Sequence, residues 1–168
     1  MRNNSSFGMI SCITAAGSDR GSSVWQSKRL IPAAFVMQCE GRICMSSVRG
    51  FLIDVQKSNP YIAEIDGSLS SYCKILGCDT FDIASRRIGE NYYDIYCDDE
   101  GLLKSNPIVS AISSDRQPML VGNLFVTKTN DEGETISLTD EEIEEVKRHL
   151  TPLFDESGRY YPCLICDY

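Results

Sequence analysis

Between residues 50 and 138 the chain consists of short apolar runs, each stopped within a few residues by Gly, Asn, Asp or Pro. Phe51, Ile53 and Val55 alternate and are ended by Lys57-Ser58-Asn59-Pro60, where proline removes a donor and asparagine favours a turn. Tyr61-Ile62-Ala63-Glu64-Ile65 is a second extended piece. Residues 80–88 and 92–97 flank Gly89-Glu90-Asn91 and predict a hairpin, with Phe81, Ile83 and Ser85 on one face of its first strand. An acidic turn follows, Asp98-Asp99-Glu100-Gly101, and Leu102-Leu103-Lys104 resumes as a short strand. Residues 105–118, with prolines at both 107 and 118, read as the least regular part. Residues 119–128 read as one strong strand, and 135–138 as extended after the turn at Asn130-Asp131-Glu132-Gly133.

Two segments carry a helical period instead. Leu69, Tyr72, Cys73 and Leu76 recur at helical spacing, with Asp66 or Ser68 as cap and Gly77 as stop. Thr139-Asp140-Glu141-Glu142 is a capping box opening a helix whose apolar stripe is Ile143, Val146 and Leu150. Its first turn is acidic and its last turn basic, which suits the helix dipole, and Pro152 marks its end. The sum predicts an α+β fold, a mainly antiparallel sheet with two packed helices.

Charge divides the chain. Residues 1–44 hold five basic and two acidic residues, net +3, whereas 45–168 hold 11 basic and 22 acidic, net −11. The first stretch is rich in Ser, Gly and Asn and has no sustained period. It is expected to be a flexible tail or an upstream extension, with Met45 a true or alternative start and 45–168 a single α+β domain. The longest apolar run of that stretch, residues 30–37, contains Pro32. It is far short of the roughly 20 residues that span a bilayer. Lys28 and Arg29 precede it, but the run begins late and Gln38 and Glu40 make no small-residue cleavage site. A cytoplasmic protein with no membrane contact is the expectation.

Eight cysteines stand at 12, 39, 44, 73, 78, 97, 163 and 166. Without a secretion signal they predict free thiols rather than a disulfide framework. Cys163-Leu164-Ile165-Cys166 has the spacing of a redox pair or of half a zinc site, which Cys73 and Cys78 would complete. The plainer alternative is a C-terminal strand packed on the sheet, with Cys73 a small core residue. His149 is the single histidine and sits where a helix end favours a cation, with no nucleophile motif to pair with it. The acidic turns lack the alternating spacing of a calcium loop, and no phosphate-cradling glycine loop is present. Arg86-Arg87 is too small a basic patch for nucleic acid. Tyr92, Asp94 and Tyr96 alternate with Tyr93, Ile95 and Cys97, the second set being expected in the core.

The order of these pieces resembles the domain of unknown function 3846 family over roughly residues 50–150. Three stretches carry the likeness. The first runs from the strand through Asn59-Pro60-Tyr61 and Ile65 to the helix over 69–77. The second is the strand pair ending in Asp98-Asp99-Glu100-Gly101, with Asn106-Pro107 after it. The third is Val121-Gly122-Asn123-Leu124-Phe125-Val126, then Gly133 and Ser137-Leu138-Thr139-Asp140. The family has a second glycine where Cys78 stands, Asn-Glu-Glu-Gly-Lys at 98–102, and arginine where Pro107 stands. If that Asn-Arg pair binds something, this chain has lost the contact. The resemblance implies an origin in bacteria, phages or mobile elements and supplies no catalytic residues.

Together these features describe a small acidic binding protein that is not an enzyme and needs no cofactor. Its expected partner is an unidentified protein, with no direct contact to nucleic acid; imitation of DNA by the acidic surface is one form of that reading. The alternatives are a small-molecule-binding protein or unrecognised enzyme with a pocket lined by Tyr92, Tyr96 and Arg86, and a domain stabilised by zinc on Cys163, Cys166, Cys73 and Cys78.

Overall fold

The structure, a computed structural model, describes residues 47–155 and 157–168. The expected tail over 1–44 and the start at Met45 lie outside the described residues. In chain order the elements are β1 (Val48–Ile53), β2 (Tyr61–Ile65), α1 (Leu69–Leu76), β3 (Phe81–Ile88) and β4 (Asn91–Asp98). A turn of 3-10 helix, Gly101–Leu103, follows, then β5 (Val109–Ile112), β6 (Pro118–Val121) and β7 (Leu124–Thr129). The chain closes with β8 (Thr135–Ile136), α2 (Asp140–Arg148), β9 (Leu150–Phe154) and β10 (Tyr160–Ile165).

These strands form two sheets, where the sequence suggested one. The first is six-stranded and wholly antiparallel, in the order β2-β1-β7-β4-β3, with β8 on β7. The second has four strands in the order β6-β5-β10-β9, and β10 runs parallel to β5. Alternation along the central strands of the first sheet splits the core in two. Phe51 and Ile53, Tyr93, Ile95 and Cys97, and Leu124 and Val126 face the second sheet and α2. Val48, Leu52, Tyr96 and Phe125 face α1, which adds Tyr72 and Leu76. The layers are therefore α1, the six-stranded sheet, and then the second sheet with α2.

Local chemistry explains both helices. In α1 the Ser68 hydroxyl accepts the Ser71 amide at 3.2 Å, and Gly77 takes the left-handed conformation (φ +71°) that ends the helix. In α2 Thr139 Oγ1 accepts the Glu142 amide at 3.3 Å and Glu142 Oε2 accepts the Thr139 amide at 2.9 Å. Leu138, before the cap, and Ile143, in the next turn, share one core and staple the helix entry. Arg49 fastens this end to β1, donating to the Leu138 carbonyl at 3.1 Å and to Asp140 at 2.6 Å. Among the described residues no helix is long and apolar enough to cross a membrane.

Four sequence expectations are corrected. Leu102 and Leu103 lie in the 3-10 turn rather than a strand, at 61% and 83% exposure, because neither has an apolar surface to cover. Residues 105–118 contain β5, whose Ser110, Ala111 and Ile112 are buried. Residues 119–128 are two strands in different sheets. Gly122 (φ +77°) breaks them, donating to the Ile108 carbonyl at 2.9 Å, and Asn123 Oδ1 accepts the Val55 amide at 3.1 Å. Finally, α2 ends at Arg148, and Pro152 lies in the edge strand β9, opposite Pro162.

A polar cluster ties α2 to the hairpin of β3 and β4. Glu145 Oε2 accepts from the buried Tyr93 hydroxyl and from Asn91 Nδ2, both at 2.8 Å. The Tyr93 hydrogen bond, then the Asn91 one against the opposing effect of burial, holds the Glu145 carboxyl below its ordinary value of 4.5. A depressed folded value means that the stability Glu145 adds is complete above its ordinary pKa and is lost as pH falls through the folded one. The melting temperature should therefore fall between about pH 5 and pH 3, and a Glu145→Gln chain should fall less steeply there. Equal slopes for the two chains would contradict this role.

Candidate functional site

Where β1 and β4 end and β2 and β7 begin, the chain leaves an open groove of about 910 Å³. One wall is the last turn of α1 with Ser71, Lys74, Ile75 and Gly77. Another is β2, through Tyr61, Glu64 and Ile65. Asp54–Lys57, Asp98, Gly101, Lys104, Asn106–Ile108 and Gly122-Asn123 close the far side. The turn at Gly122-Asn123 that separates β6 from β7 thus builds part of the site, and the Asn123 side chain secures the loop after β1 through the Val55 amide. Because β2 is an edge of its sheet, its outer backbone groups have no strand partner among the described residues.

Two of the three groove lysines are held by neighbours. Lys57 Nζ donates to the Tyr61 hydroxyl at 3.0 Å and lies 3.1 Å from Asp54 Oδ2, contacts that raise its pKa in that order of effect. Lys104 pairs with Asp98, which raises its pKa, and reaches the Gly77 carbonyl at 3.5 Å. Lys74 is exposed and pairs with no carboxylate among the described residues. Asp66 is held down to about 2, first by the Ser68 hydroxyl, which also belongs to the α1 cap. Ser71, the groove hydroxyl other than Tyr61, donates to the Ser68 carbonyl at 2.8 Å. The Ser71 hydroxyl also lies beside Asp66, but a carboxylate held down to about 2 is a weak base for activating it. What the groove offers is an apolar floor (Val55, Ile65, Ile75, Ile108), separated charges and a free strand edge, which are the means of binding.

The residues singled out in the sequence lie elsewhere. Tyr96 is buried in the core beneath α1, stacked on Tyr72 with ring centroids 4.3 Å apart, its hydroxyl 2.6 Å from Thr135 Oγ1. Tyr92 is on the same face of β4 but 59% exposed. Arg86 pairs with Tyr93 in the β3–β4 register and so points to the opposite face from both. There its guanidinium lies 4.6 Å from the Tyr168 ring, and its buried Nε has no hydrogen-bond partner among the described residues. The three do not line one pocket. Cys163 and Cys166 are buried in and just after β10, and Cys73 and Cys78 flank the end of α1. Among the described residues no group of three or more His, Cys, Asp or Glu side chains is arranged to hold a metal ion. His149 caps α2, its Nδ1 2.8 Å from the Glu145 carbonyl, with Gly89 packed over the ring.

The groove was missed because its residues are spread over a helix, a strand and distant loops and carry no motif. A signal was nonetheless present. Tyr61, Ile65 and Gly77 come from the first stretch that carries the family likeness, Asp98, Gly101 and Asn106-Pro107 from the second, and Gly122-Asn123 from the third. All three converge here. The model of the family described as Domain of unknown function (DUF3846) matches residues 48–151, which includes every groove residue and excludes nearly all of the hairpin of β9 and β10. No curated protein and no solved structure matches the chain. The chain belongs to the family of the domain of unknown function DUF3846.

Proposed function

We propose that this chain is a non-enzymatic binding protein that takes an extended segment of a protein partner into the groove between α1 and β2. The observation that carries the proposal is the convergence of the three family stretches on one open groove walled by a free strand edge. An added strand would gain main-chain hydrogen bonds from β2, while Ile65, Ile75 and Ile108 receive alternate side chains. Lys74, unpaired with any carboxylate among the described residues, would meet an acidic side chain of the partner, and Glu64 a basic one. The setting is the cytoplasm of a bacterium or of a cell carrying a phage or mobile element, a context suggested by the family resemblance.

A variant carrying Lys74→Glu and Tyr61→Ala should lose the proteins that co-purify with the full chain. A Tyr92→Ala chain, altered on an exposed tyrosine away from the groove, should keep them. Equal recovery from both variants would remove the groove from the account. Binding that collapses only with rising salt, and equally in both variants, would instead favour imitation of DNA by the acidic surface.

The groove volume of about 910 Å³ also lies within the range of small-molecule sites, roughly 300–1,000 Å³. Native mass spectrometry of the purified chain separates this second reading, since a retained small molecule adds a fixed low mass and a captured protein segment does not.

A further inference from the structure

The end of α1 wraps back on itself. The Gly77 and Cys78 amides both donate to the Cys73 carbonyl, at 2.9 and 3.1 Å. In this turn the residue five places on lies over the helix, where two apolar side chains ordinarily touch. Here both are cysteines. The Cys73 thiol donates to the Asp79 carbonyl at 3.4 Å, and both cysteines line a cleft of about 260 Å³ beside Asp98 and Lys104. Both are half-buried, whereas Cys97, Cys163 and Cys166 are buried.

We propose that Cys73 and Cys78 are an exchange-active thiol pair, oxidised to an intramolecular disulfide by low-molecular-weight disulfides. A disulfide asks for Cα atoms roughly 4.4–6.8 Å apart. Residues joined by a direct backbone hydrogen bond lie in that neighbourhood. The Cys-x-x-Cys pair does not, because three residues of extended strand cover about 10 Å. In the reaction one thiol gives its proton to solvent and its sulfur attacks the small disulfide. The first mixed disulfide forms and one small thiolate leaves. The second cysteine, also deprotonated, attacks the protein sulfur of that mixed disulfide and expels the second small thiolate. Two protein thiols are oxidised, one small disulfide is reduced to two thiols, and the protons balance. Burial and then the Asp98 charge push the Cys78 thiol up to about 11, so exchange should quicken with rising pH. Gly77, Asp98 and Lys104 line both the cleft and the groove, so the bond would fix the helix end at the groove's margin. The thiol chemistry does not depend on what the groove binds.

Trypsin separates the two cysteines, cutting after Lys57, Lys74 and Arg86 to give peptides 58–74 and 75–86. The folded full chain, treated with oxidised glutathione at about pH 8, quenched by alkylation and digested without reductant, should yield these peptides as one linked species. That species should be lighter by two hydrogens than the two free thiol peptides together, and reductant should split it. A Cys78→Ser chain should instead hold glutathione on Cys73. Recovery of the two peptides separately, whether alkylated or each carrying glutathione, would overturn the proposal. So would linkage of either to a peptide bearing any other cysteine.

Discussion

A Gly50→Ala chain is expected to unfold at a markedly lower temperature than the natural one. Gly50 lies between Val48 and Leu52 on the α1 face of β1, and the Phe125 ring occupies the space where its side chain would be. An added Cβ would stand 2.5 Å from Phe125 Cζ, 2.7 Å from Cε2 and 2.6 Å from the Val126 carbonyl oxygen. The ring has no room to retreat, since Phe125 is fully buried and packed against Tyr72 and Tyr96. The carbonyl cannot retreat either, because Val126 pairs with Phe51 on one side and Ile95 on the other. Overpacking of this kind costs about 1–3 kcal/mol, and contact with backbone puts Gly50 at the upper end. A loss of about 3 kcal/mol lowers the melting temperature of such a domain by roughly 10 °C. An unchanged melting temperature would show that the two strands part more easily than this packing allows.

Phe125→Ala should be at least as damaging, at about 3–5 kcal/mol, because it removes the centre of the α1-side core. Tyr72 meets its ring edge-on with centroids 6.1 Å apart, and Leu52 and Leu76 belong to the same cluster. Without the ring, α1 would rest on a cavity. The two substitutions should also be coupled. With the ring gone, two of the three clashes at Gly50 disappear, so Gly50→Ala should cost less in the Phe125→Ala chain than in the natural one. Urea unfolding of the four chains measures this, with an expected coupling of about 0.5–3 kcal/mol. Strict additivity would mean that Gly50 is constrained by something other than the ring.

Both helices, the β3–β4 hairpin and the division of Tyr93, Ile95 and Cys97 from Tyr92 and Tyr96 were legible in the sequence. Each rests on a local signal: a cap, a glycine stop, a period of two. What escaped depends on contacts between distant residues. β5 was hidden because prolines 107 and 118 bracket it, and because its parallel neighbour β10 arrives some 50 residues later. Gly122-Asn123 was read through because the apolar residues on either side suggested one long strand, although they face different sheets. Arg86 was grouped with Tyr92 and Tyr96 by chemical type, but the hairpin register sends it to the other face. The groove joins α1 and β2 to loops distant in sequence, and only the family stretches foreshadowed it.

The groove reading is tested most directly by placing a photo-reactive phenylalanine analogue at position 61, on the free edge strand, and separately at position 92. Irradiation in bacterial cells made to express the chain should give a protein adduct from position 61 and none from position 92, and Lys74→Glu should diminish it. An adduct from position 92 alone, or adducts at both positions that Lys74→Glu leaves unchanged, would contradict a binding site between α1 and β2.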